Sequence, residues 1–193
     1  MIVGVDVDGV VAAFNPGYIA LVKEMTGVEL PPESDTYPDT WYYPQAAGVT
    51  KEQDKELWKH IRFSKDFWFN LKPYPDAVGV LVRLKWLGAD IYFVTQRVGD
   101  AAKRQTERWL HKSGFPEPTV LVTGSKGAVC KALSITHYID DKIENCEDVR
   151  DTSPNTKGYM LKRPWNKPVD GVPVLNSLDE FMNVLALDKL GGK

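Results

Sequence analysis

Residues 2–10 read IVGVDVDGV, a short β-branched run that ends in Asp6-Val7-Asp8-Gly9. An apolar run of this length, closed by Asp-Gly, predicts a buried strand over Ile2–Val7. Side chains alternate faces along a strand, so Asp6 and Asp8 are expected to share one face while Val7 packs on the other. Two carboxylates so close repel each other when both are ionised and dry, and a cation or a shared proton must compensate. Magnesium, a hard cation that takes oxygen ligands, meets that need. An ordinary turn after a strand is the plainer reading of the same residues. Gly9 lets a ligand approach the backbone closely.

Outward from this stretch the chain alternates strand and helix patterns. A helix is predicted from Asn15-Pro16, a cap residue followed by proline at the first helical position, to Gly27. Residues 28–72 change character: they hold Pro31, Pro32, Pro38 and Pro44 and the aromatics Tyr37, Trp41, Tyr42 and Tyr43. Within them Thr50-x-x-Gln53 is a capping box opening a helix through Leu57, Trp58 and Ile61. This stretch is expected to form an inserted helical lobe, with residues 1–27 and 73–193 as the core domain. After Pro73 come a helical stripe stopped by Gly88, a strand at Ile91–Val94 and a helix at Asp100–Ser113. Next are a strand at Thr119–Val122, a helix at Lys126–Leu133, a strand around Tyr138-Ile139 and a helix around Glu144–Val149. A strand at Gly158–Leu161 and a helix capped by Ser177-x-x-Glu180 complete the pattern. Residues 162–176 are expected to be a surface connection. Such alternation predicts an α/β protein, a parallel sheet with helices on both faces. Ligands bind such sheets at the C-terminal ends of the strands.

Four strand ends carry polar groups. After Asp6 and Asp8, the second offers the Thr95 hydroxyl and the Gln96 backbone N–H, followed by Arg97. The third is followed by Lys126 on a glycine-flanked loop, with Lys131 a competing lysine on the same short helix. The fourth ends in Asp140-Asp141, adjacent acids whose burial is costly unless they coordinate something, although an exposed helix cap would also accept them. Carboxylates for a cation, a hydroxyl and a lysine are what phosphoryl transfer requires, namely positioning plus charge neutralisation.

Composition narrows the ligand. The formal net charge of the 193 residues is -2, which lacks the basic excess expected of a duplex nucleic-acid binder. The two cysteines, Cys130 and Cys146, form no CxxC pair and are read as buried thiols, and three histidines are too few for a plausible zinc set. No apolar run approaches the ~20 residues that cross a bilayer, and no signal peptide is evident, so a cytoplasmic location is expected.

The DxDGV start, the strand-end threonine, the lysine and the paired Asp together resemble the haloacid dehalogenase superfamily of phosphohydrolases, over nearly the whole chain. DVDGVVAAFNPG, FWFNLKPYPDAV and YIDDKIEN further resemble the 5′(3′)-deoxyribonucleotidase family. The resemblance implies a Rossmann-like fold with a C1-type helical cap, and a magnesium-dependent phosphomonoesterase acting on a nucleotide. It implies Asp6 as nucleophile, Asp8 as general acid and base, and magnesium held by Asp6, the backbone carbonyl of Asp8, Asp140 and Asp141. Either of the paired acids is open as the direct ligand. Thr95 and Lys126 would bind the phosphoryl oxygens. Phe67 and Trp68 are implied in base binding, with Trp41, Gln96 and Arg97 as further substrate contacts. One departure is Thr95-Gln96-Arg97, where the animal members carry Thr-Ser-Pro. A homodimer stays open.

Three other readings compete. A 3′-phosphatase for nucleic-acid ends shares the DxDG start, the paired acids and a helix like Arg108-Trp109-Leu110, but such domains seldom need a cap. A phosphatase for another small ester would use the lobe differently. A non-catalytic phospho-ligand binder would be favoured by a missing motif residue, and none is missing.

Overall fold

The computed structural model describes residues 1–33 and 43–191. The strands are β1 (Ile2–Val5), β2 (Asp90–Thr95), β3 (Thr119–Val122), β4 (His137–Asp140), β5 (Lys157–Leu161) and β6 (Val174–Leu175). The described helices are α1 (Phe14–Thr26), α2 (Tyr43–Ala46), α3 (Lys51–Phe63), α4 (Phe67–Asn70), α5 (Ala77–Trp86), α6 (Ala102–Lys112), α7 (Lys126–Ala132), α8 (Ile143–Thr152) and α9 (Leu178–Gly191).

The strands form one parallel sheet in the order β3-β2-β1-β4-β5-β6. The chain leaves β1 towards one side for β2 and β3 and later returns to the other side for β4 to β6. The order therefore reverses at β1, the place where a crevice opens at the carboxyl ends of the strands. Alternation along β2 covers both faces of the sheet. Phe93 packs edge-on against Phe115 (ring centroids 4.9 Å) in the main core, while Val94 joins Cys130, Ile135, Tyr138 and Val149 on the opposite side. Both cysteines are buried free thiols.

A narrow neck joins the first helices to the sheet. Ala13 N–H donates to the Lys72 carbonyl (2.8 Å), Tyr74 N–H donates to the Val11 carbonyl (2.8 Å), and Ala12 pairs antiparallel with Pro73. Helices α1 to α4 lie between its two stubs. The Thr50–Gln53 capping box forms in both directions at the start of α3. Leu57 and Ile61 of α3 and Trp68 of α4 belong to the same buried cluster as the sheet residues Val3, Val5 and Phe93. Trp41 and its neighbours Tyr37 and Tyr42 lie outside the described residues.

Two readings need correction. Helix α1 begins at Phe14 with Ala13 as its cap, which makes no side-chain cap bond, so Asn15 and Pro16 sit inside the first turn. Proline is tolerated there because the first four N–H groups of a helix have no intrahelical acceptor. Residues 162–176 are more than a surface connection: they contribute β6 and bury Trp165 and Val172. Val174 and Leu175 form only two ladder positions beside β5, and that pairing is set by the neighbouring strand. Other element ends differ from the sequence reading by up to three residues, the largest difference at the end of α8, in keeping with the scatter of helix and strand termini.

Candidate active site

The C-terminal ends of β1, β2 and β4 and the start of α8, through Lys142 and Asn145, converge on one cavity of about 310 Å³, which Asp6, Asp8, Thr95, Gln96, Arg97, Asp140 and Asp141 line together. Its inner end is a cluster of buried acids. One carboxylate oxygen from each of Asp6, Asp140 and Asp141 lies within 4.8 Å of the others. The chain holds these groups by local geometry. Asp140 ends β4 and accepts from the Tyr138 hydroxyl (2.5 Å), the Lys142 N–H (2.9 Å) and both approaches of the Asn145 amide (3.1 Å). Asp141 accepts from the Trp165 indole N–H (2.7 Å), and its backbone carbonyl accepts from the Asn166 amide (2.7 Å). Gly9 has a φ of 81°, and a Cβ there would run into the Asp141 carboxylate. Glycine is thus required by both backbone and space. Arg163 closes the loop from the far side, donating to the carbonyls of Gly9 (2.6 Å) and Val10 (3.4 Å).

Lys126 enters this cluster from the first turn of α7. It is fully buried and bonds the Asp6 carboxylate and the Val94 carbonyl, with Asp140 at 3.7 Å. Lys131, the competing lysine, is exposed. One ammonium cannot cancel three carboxylates, and the titration of the acids records the excess. Burial, then the Asp140 charge, pushes Asp6 up to about 8 against the pull of Lys126. Burial and the charges of Asp140 and Asp6 also hold Asp141 well above the usual carboxylate range. Burial presses the Lys126 ammonium downward, but Asp6 and Asp140 outweigh it and its pKa stands above the ordinary value. A small site of hard oxygen donors with surplus negative charge fits a divalent cation such as magnesium.

Asp8 stands apart from this cluster. Its carboxylate is turned to Arg97, which reaches it with both Nε (2.9 Å) and Nη2 (2.8 Å). Arg97 also donates from Nη1 to the Thr106 hydroxyl (2.9 Å) and lies over the rings of Trp68 (4.9 Å) and Trp109 (5.5 Å). Of the four acids read from the sequence, three are brought together and the fourth is held by an arginine. Thr95 is buried at the end of β2, where its hydroxyl accepts from the Arg97 N–H (3.4 Å). The Gln96 amide donates to the Gly124 carbonyl (3.2 Å).

The outer cavity is aromatic. Phe14 stacks with Tyr18 (5.5 Å), Trp58 (6.0 Å) and Trp68 (5.9 Å), and Tyr18 stacks with Trp58 (5.8 Å). Trp68 lines the cavity; Phe67 packs edge-on behind it at 5.0 Å and does not. Asn15, Asp54 and Gln45 are polar members of the same wall, with Asp54 accepting from the Tyr18 hydroxyl (3.0 Å). Sequence reasoning missed Phe14, Asn15, Tyr18, Asp54, Arg163, Trp165 and Asn166. The spacing of Phe14 and Tyr18, one helical turn apart directly after the acidic loop, was a usable signal. The reach of Arg163, Trp165 and Asn166 across the fold leaves no trace in local sequence.

Comparison with known proteins identifies relatives in sequence and in fold. A protein of Bacillus cereus named "Putative nucleotidase" is 32% identical over 72 residues, 37% of each chain. One of Oceanobacillus iheyensis with a like name is 25% identical over 125 residues, 62% of this chain and 64% of the relative. The matches thus span 37% and 64% of the lengths of these relatives. A haloacid dehalogenase-like family hydrolase from Streptococcus pneumoniae shares the fold with a TM-score of 0.65 at 12% identity, over 95% of this chain and 97% of that one. The profile of the family described as 5′ nucleotidase, deoxy (Pyrimidine), cytosolic type C protein matches residues 1–189. A match of that extent makes the chain a member of this nucleotidase family, on the fold it shares with the haloacid dehalogenase-like hydrolase.

Proposed function

We propose that the protein is a magnesium-dependent phosphomonoesterase that hydrolyses nucleoside monophosphates through an aspartyl-phosphate on Asp6. The observation that carries this reading is the meeting of the buried Asp6–Asp140–Asp141 cluster and Lys126 with an aromatic-walled cavity. At about 310 Å³ the cavity is at the small end of the range for ligand sites, suited to one mononucleotide better than to a polymer end. Asp6, Asp140 and Asp141 would hold the cation, which when bound supplies charge neutralisation for the phosphate.

The chain's own groups divide the reaction into two displacements. An Asp6 oxygen forms a bond to phosphorus while the ester P–O bond breaks, and Asp8 delivers a proton to the departing nucleoside oxygen. Asp8, now a carboxylate, takes a proton from water as that water attacks phosphorus, the Asp6–phosphorus bond breaks, and Asp6 is restored with release of phosphate. Lys126 and the Thr95 hydroxyl would bind the phosphoryl oxygens. Arg97 would fix the Asp8 carboxylate, so that its transfer distance does not depend on a mobile side chain. Helices α1, α3 and α4 supply the wall against which the base would stack through Trp58 and Trp68.

Phosphate release from nucleoside monophosphates and sugar phosphates, with and without magnesium, tests the proposal. Nucleotide hydrolysis is expected only with the cation, and Asp6→Asn is expected to abolish it while the variant keeps its fold by circular dichroism. Near-full activity of Asp6→Asn would remove Asp6 as nucleophile. A steep dependence of activity on salt would point instead to a polymer substrate.

A further inference from the structure

A buried primary amide with neither atom bonded is uncommon, because both groups lose water and gain nothing in return. Asn15 is such a group. The residue is 1% exposed, its side-chain oxygen and nitrogen have no hydrogen-bond partner among the described residues, and it lines the same cavity as Asp6 and Lys142. Helix capping does not account for it, since Ala13 occupies the cap position. The phosphoryl-transfer scheme does not use it either. In the first turn of α1 it follows Phe14 directly and precedes Tyr18 by three residues, and all three line the cavity.

We infer that Asn15 is a specificity residue that reads the hydrogen-bonding edge of a nucleobase lying against Phe14, Tyr18 and Trp58. The inference rests on the nucleotide reading above and deepens it. Aromatic side chains hold any flat ring, whatever its edge carries. A carboxamide adds one acceptor and two donors side by side, the complement of a base edge that presents a donor next to an acceptor. A ligand with no such edge leaves the amide buried and unpaired, and sites built in this way reject it. The orphaned state of Asn15 in the free protein is the counterpart of that demand.

The experiment crosses two substrates with two proteins. kcat/KM is measured for dAMP, dGMP, dCMP, dTMP and dUMP and for 2-deoxyribose 5-phosphate, which keeps sugar and phosphate and lacks the base. The best nucleotide and the sugar phosphate are then measured with Asn15→Ala. The nucleotide is expected to fall about 10- to 100-fold, the loss of one or two hydrogen bonds in a dry site. The sugar phosphate is expected to change by less than about threefold, since it never met the amide. Asn15→Ala should melt no lower than the wild type, because the amide makes no bond in the free protein. Equal losses on both substrates would assign Asn15 to the sugar or to the structure and overturn the inference. An unchanged nucleotide preference in Asn15→Ala overturns the role of Asn15 alone. If the wild type favours no nucleotide over the sugar phosphate, base recognition fails and the nucleotide reading falls with it.

Discussion

Arg97 carries its charge into the protein, away from solvent: its side chain is fully buried while the Asp8 carboxylate it grips is 20% exposed. The guanidinium plane makes two parallel contacts to one carboxylate, which fixes angle as well as distance. Trp68 and Trp109 hold that plane from its faces and Thr106 from its edge. Such a fork cannot be copied by a compact ammonium. Arg97→Lys keeps the charge but loses the second prong and the stacking. We expect kcat to fall about 10- to 100-fold with KM changed little, the pattern of a lost transition-state interaction. A rise in KM with unchanged kcat would place Arg97 on the substrate instead. The sequence showed that Arg97 follows the strand-end threonine, but not which way it turns. Lys126 and Lys131 posed the same problem: two lysines on one short helix look alike until the fold buries one of them against Asp6 and exposes the other.

Elements were more legible than contacts. β-Branched and aromatic runs of four to six residues define β1 to β5 almost alone, because buried parallel strands read as continuous apolar stretches. The Thr50–Gln53 box located α3 for a purely local reason. β6 was missed, since two residues among prolines carry no pattern of their own and take strand form only beside β5. Helix α3 illustrates the ambiguity of an apolar stripe. Leu57 and Ile61 are buried in the core, whereas Trp58, one residue on, is 39% exposed and faces the cavity. Its ring extends the stack of Phe14 and Tyr18 outward. Base stacking on one aromatic side chain is worth roughly 1–3 kcal/mol. Trp58→Ala is therefore expected to raise KM for nucleoside monophosphates by at least about fivefold at the lower end of that range. A base-free substrate such as p-nitrophenyl phosphate should lose far less, and Tm should shift little for a side chain this exposed. Equal effects on both substrates would exclude stacking on α3.

At the scale of the whole molecule, residues as distant as Asp6, Lys126 and Asp140 meet because the sheet order reverses at β1 and brings three strand ends to one crevice. The fold thereby concentrates like charge, and this has a consequence for stability. In an unfolded chain Asp6 and Asp141 titrate near 3.8, whereas in the folded, metal-free protein Asp6 is pushed up to about 8 and Asp141 also stands well above its ordinary value. The unfolded state then releases protons more readily than the folded one, so stability falls as pH rises from about 4 towards about 8. Lys126 stays protonated throughout that window and does not reverse the trend. A divalent cation favours the ionised carboxylates of the folded state and opposes the loss. A ligand at one hundred times its Kd adds about 2.7 kcal/mol, and for a chain of this size each kcal/mol moves Tm by about 2–4 °C. With a chelator present, Tm should therefore decline between about pH 5 and pH 8, and saturating magnesium should raise it by roughly 5–10 °C at the upper end and by less at the lower. Asp140→Asn should weaken both responses, since burial still raises Asp6 and Asp141 but the neighbouring Asp140 charge is gone. A magnesium increment that is equal at the two pH values would mean that the cation does not bind these carboxylates.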